Sequence, residues 1–345
     1  MGTTVNSVQK AKKHSAAKNI ALLVSGMAVL VLALVISLMY GTKNFDFYTV
    51  LQAVFSYDPK DAAHQIIQDI RLPRALAAAM IGAFLAVSGC IMQTITRNPI
   101  AEPSLLGVSH GAAFALVLTL AFYPALPIAG TMAASIAGAG VAVIFVFSLA
   151  LLSKGGSNTV KLALAGMALS VFLSSLTSAI GLYFNVAKDM SFWYAGSLAS
   201  IDWRAVKLLA VLGFCGLFIA FFISRSLTVM HLGEDLSKGL GIRVGAVRAL
   251  AVTAILLLTG CSVAVSGTIG FIGLVVPHIC RMLVGVDHRI LLPVSALFGA
   301  ILLTLSDVGA KLVNPPYETP VGVVTALIGV PFFLYLASRG RGPSL

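Results

Sequence analysis

Residues 103–153 contain no Asp, Glu, Lys or Arg, and that absence limits the possible folds more than any other feature of the chain. A helix crosses about 30 Å of hydrocarbon with about 20 apolar residues, so this run holds two crossings rather than one. Further uncharged runs occupy 20–40, 75–96, 162–187 and 249–280. Only 10% of the 345 residues are charged and 59% are hydrophobic, whereas soluble domains carry roughly a quarter charged residues. The chain therefore reads as an all-α, polytopic membrane protein.

Helices placed between the charged turns give ten spans, at 20–40, 74–95, 105–123, 129–152, 161–184, 205–225, 248–265, 268–284, 291–313 and 321–338. The first is expected to stay uncleaved. It is too long for a signal-peptide core, and Tyr40-Gly41-Thr42-Lys43 offers no small-residue cleavage site. An even number of spans puts both termini on one side, and the basic residues say which side. With the termini inside, 15 Lys and Arg fall on inner segments and eight on outer ones. Each side is then set against its acids: the inner side carries all of the +11 net charge and the outer side none. Basic residues concentrate on the cytoplasmic side of membrane proteins, where anionic lipid attracts them, so the high charge requires no nucleic-acid partner. The expected organisation is a basic cytoplasmic tail at 1–19, one transmembrane domain at 20–338 with a long inner loop at 226–248, and a cytoplasmic tail at 339–345. Trp193, Tyr194 and Trp203 fall in the outer loop 185–204, where an interfacial aromatic belt is expected.

Small residues recur inside the spans: Gly82 with Gly89, Gly107 with Gly111, Gly166 with Ser170 and Ser174. They let helices approach closely where no hydrophobic drive exists between them. Ser170, Ser174, Thr177 and Ser178 make a polar stripe on the fifth span, either a packing seam or the wall of a path. Cys90, Cys215, Cys261 and Cys280 lie in or beside apolar runs without a C-x-x-C pair and read as small hydrophobes. The six histidines show no metal-ligand spacing, and there is no phosphate-binding glycine motif and no nucleophile–base pair.

Three turns are more particular than generic loops. On the outer side, Arg71 and Arg74 flank Leu72-Pro73 at a helix N-terminus, where the helix dipole disfavours cations. An anion must compensate, with Asp69 or lipid phosphate the plain choice. On the inner side, Arg97-Asn98-Pro99-Ile100-Ala101-Glu102-Pro103 makes a stiff connector. In the long inner loop, Glu234 and Lys238 form an i,i+4 pair on a short helix that Gly239 or Gly241 can end. Asp307, inside the ninth span, has Lys311 one turn on. The two can neutralise each other, or Asp307 can act as a relay.

Together these segments identify a resemblance. RLPRALAAAMIGAFLAVSGCIMQTITRNPIAEPSLLGVSHGAA, GEDLSKGLGI, GTIGFIGLVVPHICRMLVGVDHRILLP and ETPVGVVTALIGVPFFLYL occur in the order found in FecCD-type permeases of type II ATP-binding-cassette importers. Such permeases move iron–siderophores, haem or vitamin B12. The resemblance implies ten helices per subunit in a bacterial cytoplasmic membrane, and a second permease subunit, identical or homologous, enclosing a central path. It also implies two ATPase subunits that use ATP and magnesium, and an extracytoplasmic binding protein. No cofactor is expected on this chain. By position, Arg71, Arg74 and Lys311 match residues that dock the binding protein, although the third is usually Arg and Lys lacks its bidentate fork. Asn98 and Ile100 match a cytoplasmic gate beside Asn158 and Thr159. Gly233, Glu234, Leu236, Leu240 and Gly241 match the loop that engages the ATPase. His110 departs from the usual Ser or Asn. Two other classes stand beside this one: an ion-coupled secondary transporter, disfavoured by the scarcity of midplane charge, and a membrane-embedded enzyme, disfavoured by the lack of a catalytic constellation.

Overall fold

The computed structural model describes residues 2–152 and 159–339. Among these residues every regular element is helical. A helix lies in each of the ten expected intervals. Seven helical stretches are long and apolar enough to cross a membrane, and those in the third, eighth and tenth intervals are shorter. The first helix, α1 (Gly2–Met39), runs for 38 residues, so the basic leader is helical and continuous with the first span.

Short elements that hydropathy does not report follow it. Asp46 accepts from the Tyr48 and Thr49 amides to cap α2 (Phe47–Phe55). Next, α3 (Ala62–Gln65) passes through a π-helical turn, Ile66–Arg71, into α4 (Leu72–Thr96). A 3₁₀ turn, Pro103–Leu106, precedes α5 (Val108–Phe122), α6 (Ile128–Leu152) and α7 (Thr159–Tyr183). The outer loop holds α8 (Ala187–Ala195), and α9 (Trp203–Phe222) leads into α10 (Ser224–Met230) and α11 (Glu234–Gly239). The chain ends with α12 (Val244–Ser266), α13 (Ile272–Val284), α14 (His288–Val313) and α15 (Val321–Arg339).

The core is built on α4. Its most apolar window is 78% buried, against 17% for α7, so α4 runs through the middle of the body and α7 lies at its edge. Small residues put it there. A Cβ on Gly82 would meet the Gly299 carbonyl of α14, and one on Gly89 would meet the Gly273 carbonyl of α13. Backbone-to-backbone contact lets dispersion act over whole helix faces without a hydrophobic drive.

The same contacts place the turn between α12 and α13. Thr259 donates to Ser88 at 3.0 Å, and Gly273 lies against Gly89. At 1.5 Å per residue, Gly89 is about 25 Å along α4 from Leu72, and the end of α12 about 14 Å. The turn 267–271 therefore sits at mid-depth, not at the outer surface as the span limits 248–265 and 268–284 suggest. Non-helical backbone at that depth must be satisfied by protein or line a wet cavity. Here the outer loop folds down to it. Ser197 donates its amide to the Ser266 carbonyl at 2.9 Å, and Thr268 donates its amide to Trp193 at 3.3 Å. The Thr268 hydroxyl donates to the Tyr194 carbonyl at 2.6 Å. Gly196 and Gly267 adopt positive φ, and Gly267 touches the Trp193 carbonyl closely enough that only glycine fits.

The three aromatics of this loop make contacts within the protein. Trp193 and Tyr194 are half-buried against the body, and Trp203 donates its indole N–H to the Gln68 carbonyl at 3.0 Å. Backbone pairing with the mid-depth turn, which no local pattern announces, places Trp193 and Tyr194.

Candidate functional site: a cation cluster, a polar path wall and an exposed leucine ledge

Arg71, Arg74 and Lys311, far apart in sequence, meet at one end of the body around a cavity of about 240 Å³ that Lys43 and Glu318 also line. All three are buried. The Arg71 guanidinium donates to the carbonyls of Leu38 at 2.6 Å, Met39 at 3.0 Å and Lys43. It also lies 4.6 Å from the centre of the Phe45 ring. It thus caps the C-terminus of α1, where a helix dipole favours a cation, although it precedes the N-terminus of α4.

The anion that compensates Arg74 comes from two distant segments. Asp307, with no exposed surface, accepts from Nε at 2.9 Å and from Nη2 at 2.9 Å. Glu318 accepts from Nη1 at 2.8 Å. Lys311 closes the network on Asp307 at 2.8 Å and donates to Ser37 at 3.1 Å. The Asp307–Lys311 pairing expected from sequence is present, with Arg74 as a third member. Asp69 is not the partner of Arg74, because Asp307 and Glu318 occupy its donors. Four cations facing two carboxylates leave the cavity positive.

Two further cavities lie along the wall below the outer loop. One, of about 230 Å³, is lined by Glu102, Ser104, His110, Tyr194, Thr259 and Thr268, among others. The other, of about 440 Å³, is lined by Ser104, His110, Met167, Ser170 and Ser174, among others. The polar stripe of α7 therefore divides. Ser170 and Ser174 face a cavity, Thr177 is fully buried and Ser178 is exposed. Glu102 accepts from the Phe271 amide at 3.1 Å and so caps α13. Tyr194, Thr268 and Glu102 were missed as wall residues because their position depends on the mid-depth turn.

At the opposite end, α4 stops at Arg97 in the left-handed conformation. The Asn98 side chain accepts from the Ile100 amide at 3.1 Å, a local closure stiffened by Pro99 within it. Ile100 is exposed and Ala101 buried. Asn158 lies outside the described residues, as does the side chain of Thr159, which opens α7. A buried network joins this end of α4 to the inner loop. The Thr94 hydroxyl is 2.7 Å from His288 Nε2, and the His288 amide donates to the Thr228 hydroxyl of α10 at 2.9 Å. Arg281 donates to Gln93 at 2.9 Å.

Gly233, Glu234, Leu236, Leu240 and Gly241 lie on or beside α11, which presses one polar side onto the body. Ser237 is buried and donates to the Gly233 carbonyl at 2.5 Å. Glu234 pairs with Lys238 at 3.1 Å and with Arg248 of α12 at 3.3 Å. The Lys238 hydrogen bond leads in holding its carboxyl below the usual range. Leu232, Leu236 and Leu240, four residues apart, are 61%, 60% and 66% exposed. A leucine ledge beside a pinned turn is a surface built to be covered.

An all-helical body with backbone breaks at mid-depth and cavities along them is the architecture of a membrane permease. The chain belongs to the FecCD transport family, whose model matches residues 29–339; the family is a membrane permease subunit of ATP-binding-cassette importers rather than an enzyme. The iron(3+)-hydroxamate import system permease FhuB of Bacillus subtilis is 50% identical over 92% of this chain and 83% of its own length. The ferric enterobactin permease FepD of Escherichia coli is 38% identical over 91% of this chain and 93% of its own. A solved inward-facing metal-chelate-type ABC transporter superposes with a TM-score of 0.82 at 32% identity, covering 92% of this chain and 99% of that one.

Proposed function

We propose that this chain is the permease subunit of an ATP-driven importer in a bacterial cytoplasmic membrane, and that its cargo is an iron(III)–siderophore, a hydroxamate chelate first among them. The observation that carries the reading is the 50% identity, over 92% of the chain, to a permease named for iron(3+)-hydroxamate import. A second permease subunit completes the path, two ATPase subunits hydrolyse ATP with magnesium, and an extracytoplasmic protein delivers the chelate.

The three faces take distinct parts. The positive cavity of Arg71, Arg74 and Lys311 receives a carboxylate of the binding protein, which competes with the half-exposed Glu318 for Arg74. Complementary charge of this kind sets encounter rate and register. Asn98 and Ile100 form the cytoplasmic gate with Asn158 and Thr159, and the apolar Ile100 closes a narrow mouth by dewetting. The ledge of Leu236 and Leu240 seats the ATPase, and the His288 network carries its movement to the end of α4.

The direct test reconstitutes the chain with its ATPase and binding protein in liposomes and follows iron-55 trihydroxamate uptake. Accumulation that requires ATP and the binding protein is expected. Uptake of haem or cobalamin in its place, or uptake driven by an ion gradient without ATP, would overturn the reading. Separately, Leu236→Asp with Leu240→Asp is expected to release the ATPase from the purified complex. Burying two leucine side chains stabilises a contact by about 3–6 kcal/mol, and two desolvated carboxylates oppose it. Full retention of the ATPase by this variant would exclude the ledge as its seat.

A further inference from the structure

Six buried side-chain polar atoms in the described residues lack a hydrogen-bond partner. Such atoms are rare in folded proteins, and each requires a reason. Three of them are hydroxyls of Ser295, Thr304 and Ser306, spread along α14. The others are His110 Nδ1, the Tyr194 hydroxyl and the Thr177 hydroxyl, on α5, α8 and α7. His110 and Tyr194 line the 230 Å³ cavity together, and His110 also lines the 440 Å³ cavity. Thr177 is 1% exposed, and its hydroxyl lies beside that of Tyr194 without a bond of good geometry. The Tyr194 and Thr177 hydroxyls thus turn toward each other behind the wall, while His110 and Ser104 line both cavities and join them.

The charge of the wall is equally telling. Glu102 lines the smaller cavity, and neither cavity is lined by a Lys or Arg. Arg71, Arg74 and Lys311, with Lys43, lie around a separate cavity. An anion entering this part of the wall would lose its hydration, meet a carboxylate and find no cation. That is the least favourable arrangement for buried charge.

Iron(III) chelates divide along this line. Three singly charged hydroxamates cancel the charge of the metal and leave a neutral complex with an oxygen-rich surface and amide groups. Three doubly charged catecholates leave a strongly anionic one, and citrate complexes are also anionic.

We propose that the paired cavities form one binding station on the path, where a neutral hydroxamate chelate is held by hydrogen bonds to His110 and Ser104 and polyanionic chelates are rejected. The station deepens the functional reading above and rests on it. The Ser104 hydroxyl can both donate and accept, and His110 Nε2 does one or the other with its tautomer, which suits a site that must bind and then release.

Trp193 gives the station a reporter, because its ring centre lies 5.5 Å from that of Tyr194 and the chain has only two tryptophans. The full chain carrying Trp203→Phe, purified in lipid nanodiscs, is titrated with an iron trihydroxamate and with an iron tris-catecholate, and Trp193 quenching is read. Saturable quenching by the trihydroxamate alone is expected. His110→Leu should weaken it about five- to tenfold, the loss of one or two neutral hydrogen bonds, and His110→Asn should restore it to within about twofold. Glu102→Gln should raise the ratio of tris-catecholate to trihydroxamate binding. Thermal unfolding of each variant separates loss of the fold from loss of the site. Equal binding of the two chelates, no saturable quenching, or an unchanged titration in His110→Leu would overturn the station. If the reconstituted importer still took up trihydroxamate, the functional reading would stand without it. If that importer moved no iron chelate at all, the functional reading itself would fall.

Discussion

Asp307→Ala is expected to destabilise the protein by about 3–5 kcal/mol, the scale found when one partner of a buried ion pair is removed. Asp307 has no exposed surface and faces two cations, Arg74 and Lys311, both nearly buried. Removing its carboxylate leaves Glu318 as the one anion on Arg74 and leaves Lys311 with hydroxyl and carbonyl oxygens of Ser37. The energy at stake is thus the exposure of two desolvated charges to each other, not a surface attraction that salt would screen. The measurement is denaturant or thermal unfolding of the purified chain in detergent, beside a triple variant, Asp307→Leu with Arg74→Met and Lys311→Met. Replacing a whole buried network by apolar groups of similar size is often close to neutral, so the triple variant should be more stable than Asp307→Ala alone. A loss below about 1 kcal/mol in Asp307→Ala would show that water reaches the cluster.

The second large effect is expected at the crossing of α4 with α13. Gly89→Ala adds a single methyl group, but the atom it meets is the Gly273 carbonyl, part of a backbone that cannot rotate away. The helices must separate, which loosens the contact of Gln93 with the Gly273 carbonyl at 3.1 Å and the placement of the mid-depth turn. Overpacking a tight core costs about 1–3 kcal/mol, and here the strain falls on backbone, so the upper end is expected. Gly82→Ala, against Gly299, should behave alike. Gly245→Ala in the first turn of α12 is the control: nothing lies within 4 Å of the added atom, and alanine favours helix over glycine by about 1 kcal/mol. Folded yield and unfolding midpoint should fall for Gly82 and Gly89 and hold or rise for Gly245. Equal behaviour of all three would mean that the crossing is looser than described.

The sites were legible in the sequence to different depths. The leucine ledge was partly legible: the i,i+4 ion pair and the bounding glycines are local, whereas Leu236 and Leu240 were marked by the family resemblance and Leu232 was not singled out. The cation cluster was half legible. Two arginines at a helix N-terminus announced that an anion was missing, and Asp307 with Lys311 announced a pair elsewhere. Nothing local joined them, since the partners are 233 and 244 residues from Arg74. The path wall was the least legible. Ser170 and Ser174 could be singled out, but His110 appeared only as a departure from a family pattern and Tyr194 as part of a belt.

What the sequence determined by itself is the solvent of the fold. Apolar runs of twenty residues or more, with most of the charge in the turns, fit helices that cross a bilayer, and a helix lies in each of the ten intervals expected from them. Tertiary structure alone decided which helix stands at the centre, where the backbone breaks, and which polar groups face one another. Hydropathy measures the cost of leaving water, and its mean is 2.2 both for α4, buried in protein, and for α6, mostly uncovered. Depth and neighbours are set by backbone contacts such as those of Gly89 with Gly273 and Gly196 with the mid-depth turn. Contacts of that kind mark the sequence only with glycines, and a glycine does not say which distant backbone it will meet.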